Sequence, residues 1–241
     1  MGVVIDYFFA GGPVMYPLLL TAMVGIAILF ERMVVFGSIP KPGKAEQILD
    51  AVEAALRDGG LEAAAKHVSK GKGILNYIFA RLLKRYDTLL LEKKDYARIR
   101  GDKAKTTDPV AQFLTENQQN SEIREEMMIT VDDATRSYVT KFLGAMNTVA
   151  NVSPLLGLQG TITGMILAFA SIAASGTGDP RVVAAGISQA LITTASGLFI
   201  AIPATIAYQW LGYKANQAYS AIEVYSIAFS NTLIARLETE I

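Results

Sequence analysis

The 241-residue sequence has no Cys, a single His and a single Trp. Without Cys there is no disulfide framework and no thiolate metal ligand, although the absence says nothing about compartment. Neither sign of charge is in excess, because 22 basic and 22 acidic side chains cancel. A chain that binds a polyanion presents a basic footprint, so no nucleic-acid partner is expected. Catalytic motifs are missing too. There is no Gly-rich phosphate loop, no nucleophile beside a plausible base and no His/carboxylate cluster with metal spacing, so neither an enzyme nor a cofactor or metal site is expected. His67 sits in the polar stretch AAAKHVSKGKG and reads as a solvated surface residue. Glu122, Glu125, Glu126, Asp132 and Asp133 read as a solvated helix face, the first group favouring a helix N-terminus.

The most informative scarcity is local. Between Phe142 and Tyr213 the only charged residues are Asp179 and Arg181. Helices of a soluble domain show a polar face, and this stretch has none of the usual kind. Crossing a bilayer takes about 20 helical residues, and residues 14–36, 142–175 and 184–213 are each long and apolar enough. The last two exceed a ~30 Å hydrocarbon core, so they tilt or project beyond it. The expected fold is all-α: an integral membrane protein with three transmembrane helices, the second and third extending into a cytoplasmic helical bundle.

Lys and Arg set the orientation. Residues 37–141 carry 18 of the 22 basic side chains, against 16 acidic ones, whereas residues 1–13 carry none and residues 176–181 only Arg181. The basic segment belongs on the cytoplasmic side. This predicts an outer N-terminal segment at 1–13, a cytoplasmic helical domain at 37–141, a short outer loop at 176–183 and an inner C-terminal helix at 214–241. The opening MGVVIDYFF lacks the basic start of a cleavable signal and reads as a short helix on the outer face.

Inside the basic segment the periodicity is helical. Ile48, Val52, Ala55 and Leu56 share a face, and Gly59-Gly60 ends that helix. A short helix follows at 61–68, then Gly71 and Gly73, then a helix at 74–86; residues 101–109 read as a loop. From Ser121 the stripe Ile123, Met127, Val131, Ala134, Tyr138, Phe142 runs into the second span with no Gly or Pro between Ser121 and Lys141. One continuous helix is predicted there. Ile222, Tyr225, Phe229, Leu233 and Leu237 likewise carry the third span's helix onward.

The spans hold polar residues but no ionisable ones. Asn147, Asn151, Ser153, Gln159, Thr161 and Thr163 lie in the second, and Ser188, Gln189, Thr193, Thr194, Ser196 and Thr205 in the third. Gly157, Gly160, Gly164 and Gly197 suit close helix packing. Pro154 and Pro203 each free a carbonyl four residues back, marking kinks or flexing points. A lone Thr in a membrane helix can satisfy itself on its own backbone, but paired polar stripes on two adjacent helices suggest a lined, partly hydrated path. An ion-coupled carrier normally needs an ionisable residue within the membrane. Either this chain transports nothing and serves as a scaffold, or a partner supplies the titrating group.

Three motifs carry a resemblance. GGPVMYPLLL (11–20) with ILFER (28–32), VSPLLGLQGTITGMILAF (152–169) and ISQALITTASGLFIAIPATIAYQW (187–210), in that order, are similar to the ExbB/TolQ/MotA family of proton-channel subunits. Three spans resemble the ExbB/TolQ branch rather than the four-span MotA-like stators. The resemblance implies a homopentamer around two copies of an ExbD/TolR-like single-span protein carrying a transmembrane Asp, set among membrane lipids in a bacterial inner membrane. It also implies inward H+ flow, with Na+ left open, that drives rotation and passes force through a TonB/TolA-like protein to the outer membrane. Thr161 and Thr194 match the family's pore-lining positions. Gln189 stands where ExbB members often carry Glu, a candidate polar relay at the outer end, and Gln159 stands where an apolar residue is usual.

Overall fold

The computed structural model describes residues 2–101, 109–175 and 180–239. Seven helices follow one another: α1 (Gly2–Ala10), α2 (Met15–Gly37), α3 (Pro42–Lys70), α4 (Ile74–Gly101), α5 (Pro109–Val139), α6 (Leu143–Ser175) and α7 (Pro180–Thr239). The described residues form an all-helical protein, and three helices are long and apolar enough to cross a membrane: α2, residues Leu143–Ala174 of α6 and residues Val183–Arg236 of α7. At 1.5 Å per residue the 60 residues of α7 extend about 90 Å, three times a hydrocarbon core. The apolar stripe read from Ile222 to Leu237 therefore belongs to the same helix as the third span.

Two compact units divide the chain. One comprises α1, α2, α6 and residues 180–214 of α7; the other comprises α3, α4, α5 and residues 215–239 of α7.

Several sequence expectations change here. The helix predicted to run unbroken from Ser121 into the second span is interrupted at 140–142, between α5 and α6. Phe142 takes φ 64 there, a left-handed conformation that a residue with a Cβ rarely adopts. Its ring lies 5.7 Å from the Arg32 guanidinium and 4.9 Å from the Lys141 ammonium, and these cation–π contacts help offset the strain. No Gly or Pro marks the break, because contacts from a distant helix favour it. On the other side, α7 starts at Pro180, inside the 176–183 stretch read as a loop, and Pro suits a first helical turn. Residues 176–179, like most of the loop expected at 101–109, lie outside the described residues. The helix expected at 74–86 continues to Gly101. Gly60 breaks α3 as its sequence suggests, with φ 69, which Gly adopts without penalty.

In the second unit the helical stripes meet. Val52, Leu56, Phe79, Leu82, Met127 and Phe229 are all buried, and the Phe79 and Phe229 rings are 4.5 Å apart. Polar bonds tie the α7 segment to its neighbours. Arg236 Nη1 donates to the Leu56 carbonyl at 2.6 Å, Thr232 Oγ1 to Glu53 at 2.7 Å, and Tyr219 Oη to Asp132 Oδ1 at 2.6 Å. Arg85 pairs with Glu126 between α4 and α5.

The Tyr219 hydroxyl, followed by Arg136, holds the Asp132 carboxyl below the usual carboxylate range. A carboxylate lowered on folding adds stability that is complete above its unfolded value of about 3.9 and is lost as pH falls through its folded value. Asp132 is half-exposed, so the effect is small. Asp132→Asn is expected to melt a few degrees below the parent at neutral pH, with the gap closing below about pH 4; thermal melts in detergent across that range check it.

Candidate functional site

In a bilayer, apolar side chains gain little by leaving lipid for one another, so helices associate where small residues let backbones touch. α6 and α7 do this along their shared length. A Cβ on Gly197 would lie 2.7 Å from the Ser153 carbonyl oxygen, one on Gly157 would lie 3.1 Å from that of Thr193, and one on Gly164 would lie 2.9 Å from that of Gly186. A side chain on Gly160 would overlap Thr193, which is fully buried. Further along, Gly212 faces Leu143 at 3.8 Å. Positions that rise on α6 fall on α7, so the two helices run antiparallel.

This contact fixes the two hydroxyls. Thr194 Oγ1 donates across to the Gly157 carbonyl at 3.2 Å, whereas Thr161 Oγ1 donates back to Leu158 in its own helix at 2.6 Å. The Gly157 carbonyl is also the helical acceptor of the Thr161 N–H, four residues on. Thr161 and Thr194 therefore border the same turn of α6, and each hydroxyl keeps acceptor capacity. Neither can titrate in a usable range, so they can hold water or a protonated carboxyl but cannot store a proton.

Helix α2 covers one side of the pair. Thr21 lies 3.3 Å from Ser153 Oγ, and Gly25 approaches Val149. A cavity of about 210 Å³ remains between the three helices, lined by apolar groups including Leu29, Met146, Phe199 and Pro203. Gln189 faces this covered side. A side chain on Gly12, in the turn between α1 and α2, would overlap its amide. Five residues, about 140° of helix, separate Gln189 from Thr194, so the structure does not bring Gln189 to the Thr161–Thr194 pair. Pro154 and Pro203 lie inside helices that continue past them.

Charge gathers at one end. Arg32 is 2% exposed and donates to Glu31 at 2.6 Å, and its contact with the Phe142 ring sets it beside Lys141. Among the described residues no group of three or more His, Cys, Asp or Glu is placed to hold a metal ion. Gly186 is a contact residue that the sequence reading does not name, and Ser153 and Thr193 appear in it only as polar residues of the spans. Gly186 lies four residues before Ala190 and eleven before Gly197, a small-residue spacing that could have drawn attention to it.

A family described as the MotA/TolQ/ExbB proton channel family matches residues 97–224. The Tol-Pal system protein TolQ of Haemophilus influenzae is 48% identical over 69 residues, 29% of this chain and 30% of that protein. The biopolymer transport protein exbB1 of Vibrio cholerae is 35% identical over 115 residues, 47% of this chain and 50% of the relative. A putative ExbB-like biopolymer transport protein of Synechocystis is 28% identical over 222 residues, 86% of this chain and 70% of the relative. The chain thus spans half or less of the length of the first two.

The glycine contacts yield a direct test. Gly160→Val and Gly197→Val are expected to lower stability by about 1–3 kcal/mol, as overpacking does. Gly144→Val, where a Cβ meets no neighbour, should cost nothing measurable, because Val is no poorer a helix former than Gly. Detergent melts of the three variants measure the difference.

Proposed function

The chain belongs to the MotA/TolQ/ExbB proton channel family, and on that premise we propose that it is the channel-forming subunit of a motor driven by an ion gradient across the bacterial inner membrane. One observation carries the reading: two hydroxyls border one turn of a tightly packed hairpin that has no ionisable group in its spans. Such a path can guide an ion but cannot bind a proton covalently. The titrating carboxyl comes from a partner, a single-span ExbD/TolR-like protein whose Asp enters the centre of a pentamer of this chain.

In this reading Thr194 exchanges its bond to Gly157, and Thr161 its bond to Leu158, for bonds to the carboxyl or to water as the Asp passes. Held among apolar residues, that carboxyl has a raised pKa and accepts a proton from the outer side. It releases the proton where the path becomes hydrated toward the inner side. Pro154 and Pro203, each lacking one helical bond, let α6 and α7 flex while the partner turns. The basic segment at 37–141 faces the cytoplasm and the N-terminus faces outward. Force on the partner then serves outer-membrane import or envelope maintenance.

A second reading has a specific observation in its favour. Both hydroxyls are already bonded to protein carbonyls, which suits a scaffold with no ion path. Ion flux in vesicles holding the chain with its partner separates the two. Thr161→Val and Thr194→Val are each expected to cut flux about tenfold or more, the equivalent of one charge-linked hydrogen bond, while the complex still assembles. Full flux in both variants, or no flux from the parent complex, would support the scaffold.

A further inference from the structure

We propose that Asn147 and Asn151 of α6, together with Thr205 of α7, line a water-filled inner stretch of the path, joining the Thr161–Thr194 pair to the charged end at Lys141 and Lys214. The inference rests on the channel reading above. It assigns a role to side chains that this reading leaves unused.

The amides come first. Asn151 Nδ2 donates to Asn147 Oδ1 at 3.0 Å, one turn away, and both side chains are exposed. That bond leaves the Asn147 amide hydrogens and the Asn151 amide oxygen with no side-chain partner among the described residues. On a helix whose exposed surface also presents Leu155, Leu158 and Ile162, such groups need water or a polar neighbour.

Register places them. Between the Gly157–Gly197 contact and the Leu143–Gly212 contact, the antiparallel pairing sets Asn147 and Thr205 within about a turn of the same height. Rotation places them further. At about 100° per residue, Asn147 and Asn151 lie within a quarter-turn of Thr161, and Thr205 lies nearly in line with Thr194. Ser153 and Val149, where α2 packs, point to the other side of α6. On antiparallel helices an equal rotation away from the contact leads to the same side, so all five polar side chains share the flank that α2 leaves open. Thr205 itself donates to Ala201 at 2.8 Å, which leaves its oxygen able to accept from water.

This flank supplies what the reading needs. From Thr161 to Lys141 is 20 residues, about 30 Å along the helix. An ion released at the Thr pair must cross that length. Uncharged amides and hydroxyls bind and orient water without trapping a cation, so a file of water through which the released proton moves is the ligand that fits.

The Cys-free chain allows a clean test in the complete complex. Asn147→Cys, Asn151→Cys and Thr205→Cys should react with a charged, membrane-impermeant thiol reagent, and Ile206→Cys, exposed on the outward side of α7, should not. The double variant Asn147→Leu/Asn151→Leu should lose proton flux at least tenfold at unchanged complex mass. Labelling only at the control position overturns the proposal. So does a double variant that falls apart while its Cys counterparts stay unlabelled, because the amides would then bridge neighbouring copies. Full flux in the double variant, with Thr161→Val inactive, overturns it and leaves the channel reading standing. Full flux in Thr161→Val and Thr194→Val as well would fail the channel reading itself.

Discussion

Backbone contact between α6 and α7 is the interaction on which the membrane unit depends. Gly157 against Gly197 and Gly164 against Gly186 bring two helices closer than any side chain beyond hydrogen would allow. At that separation a short Thr side chain reaches the neighbouring backbone, which is how Thr194 comes to donate to the Gly157 carbonyl. One Cβ at Gly197 would push against the Ser153 carbonyl and move Thr194 away. Packing and the geometry of the polar path are thus a single constraint.

The same contact makes the hairpin two-sided. Helix α2 fills one flank through Thr21, Gly25 and the Gly11-Gly12 turn, burying Leu18 and closing on Gln189. The opposite flank keeps its hydroxyls and amides uncovered. Glu31, Arg32 and Lys141 gather at one end, where Arg32 is held by Glu31 and by the Phe142 ring. A flank that is polar, uncharged and open on one side suits a moving carboxylate better than a fixed one. In the proposed function, any acid built into α6 or α7 would compete with the partner's carboxyl for the same proton.

The spans, the all-helical class and the long α7 were legible because missing charge is a strong signal over tens of residues. Gly157, Gly160, Gly164 and Gly197 stood out by spacing, yet their partners Gly186 and Thr193 did not, since a contact has two sides and periodicity reveals only one helix at a time. The break at Phe142 left no local mark. Its left-handed φ depends on Arg32, more than a hundred residues earlier, and on the adjacent Lys141. Nor could the sequence tell that Thr161 satisfies itself while Thr194 reaches across, because the two residues are chemically identical. The facing of Gln189 was available in principle from its five-residue offset to Thr194, but the turn it packs against was not.

The central claim is that this chain provides a path and borrows its titrating group. Proton flux into vesicles tests it most directly, comparing the chain alone, the chain with a single-span partner, and the chain with that partner's membrane Asp replaced by Asn. The account predicts flux only in the second case. Equal flux from the chain alone, or from the complex with the Asn-bearing partner, would contradict it.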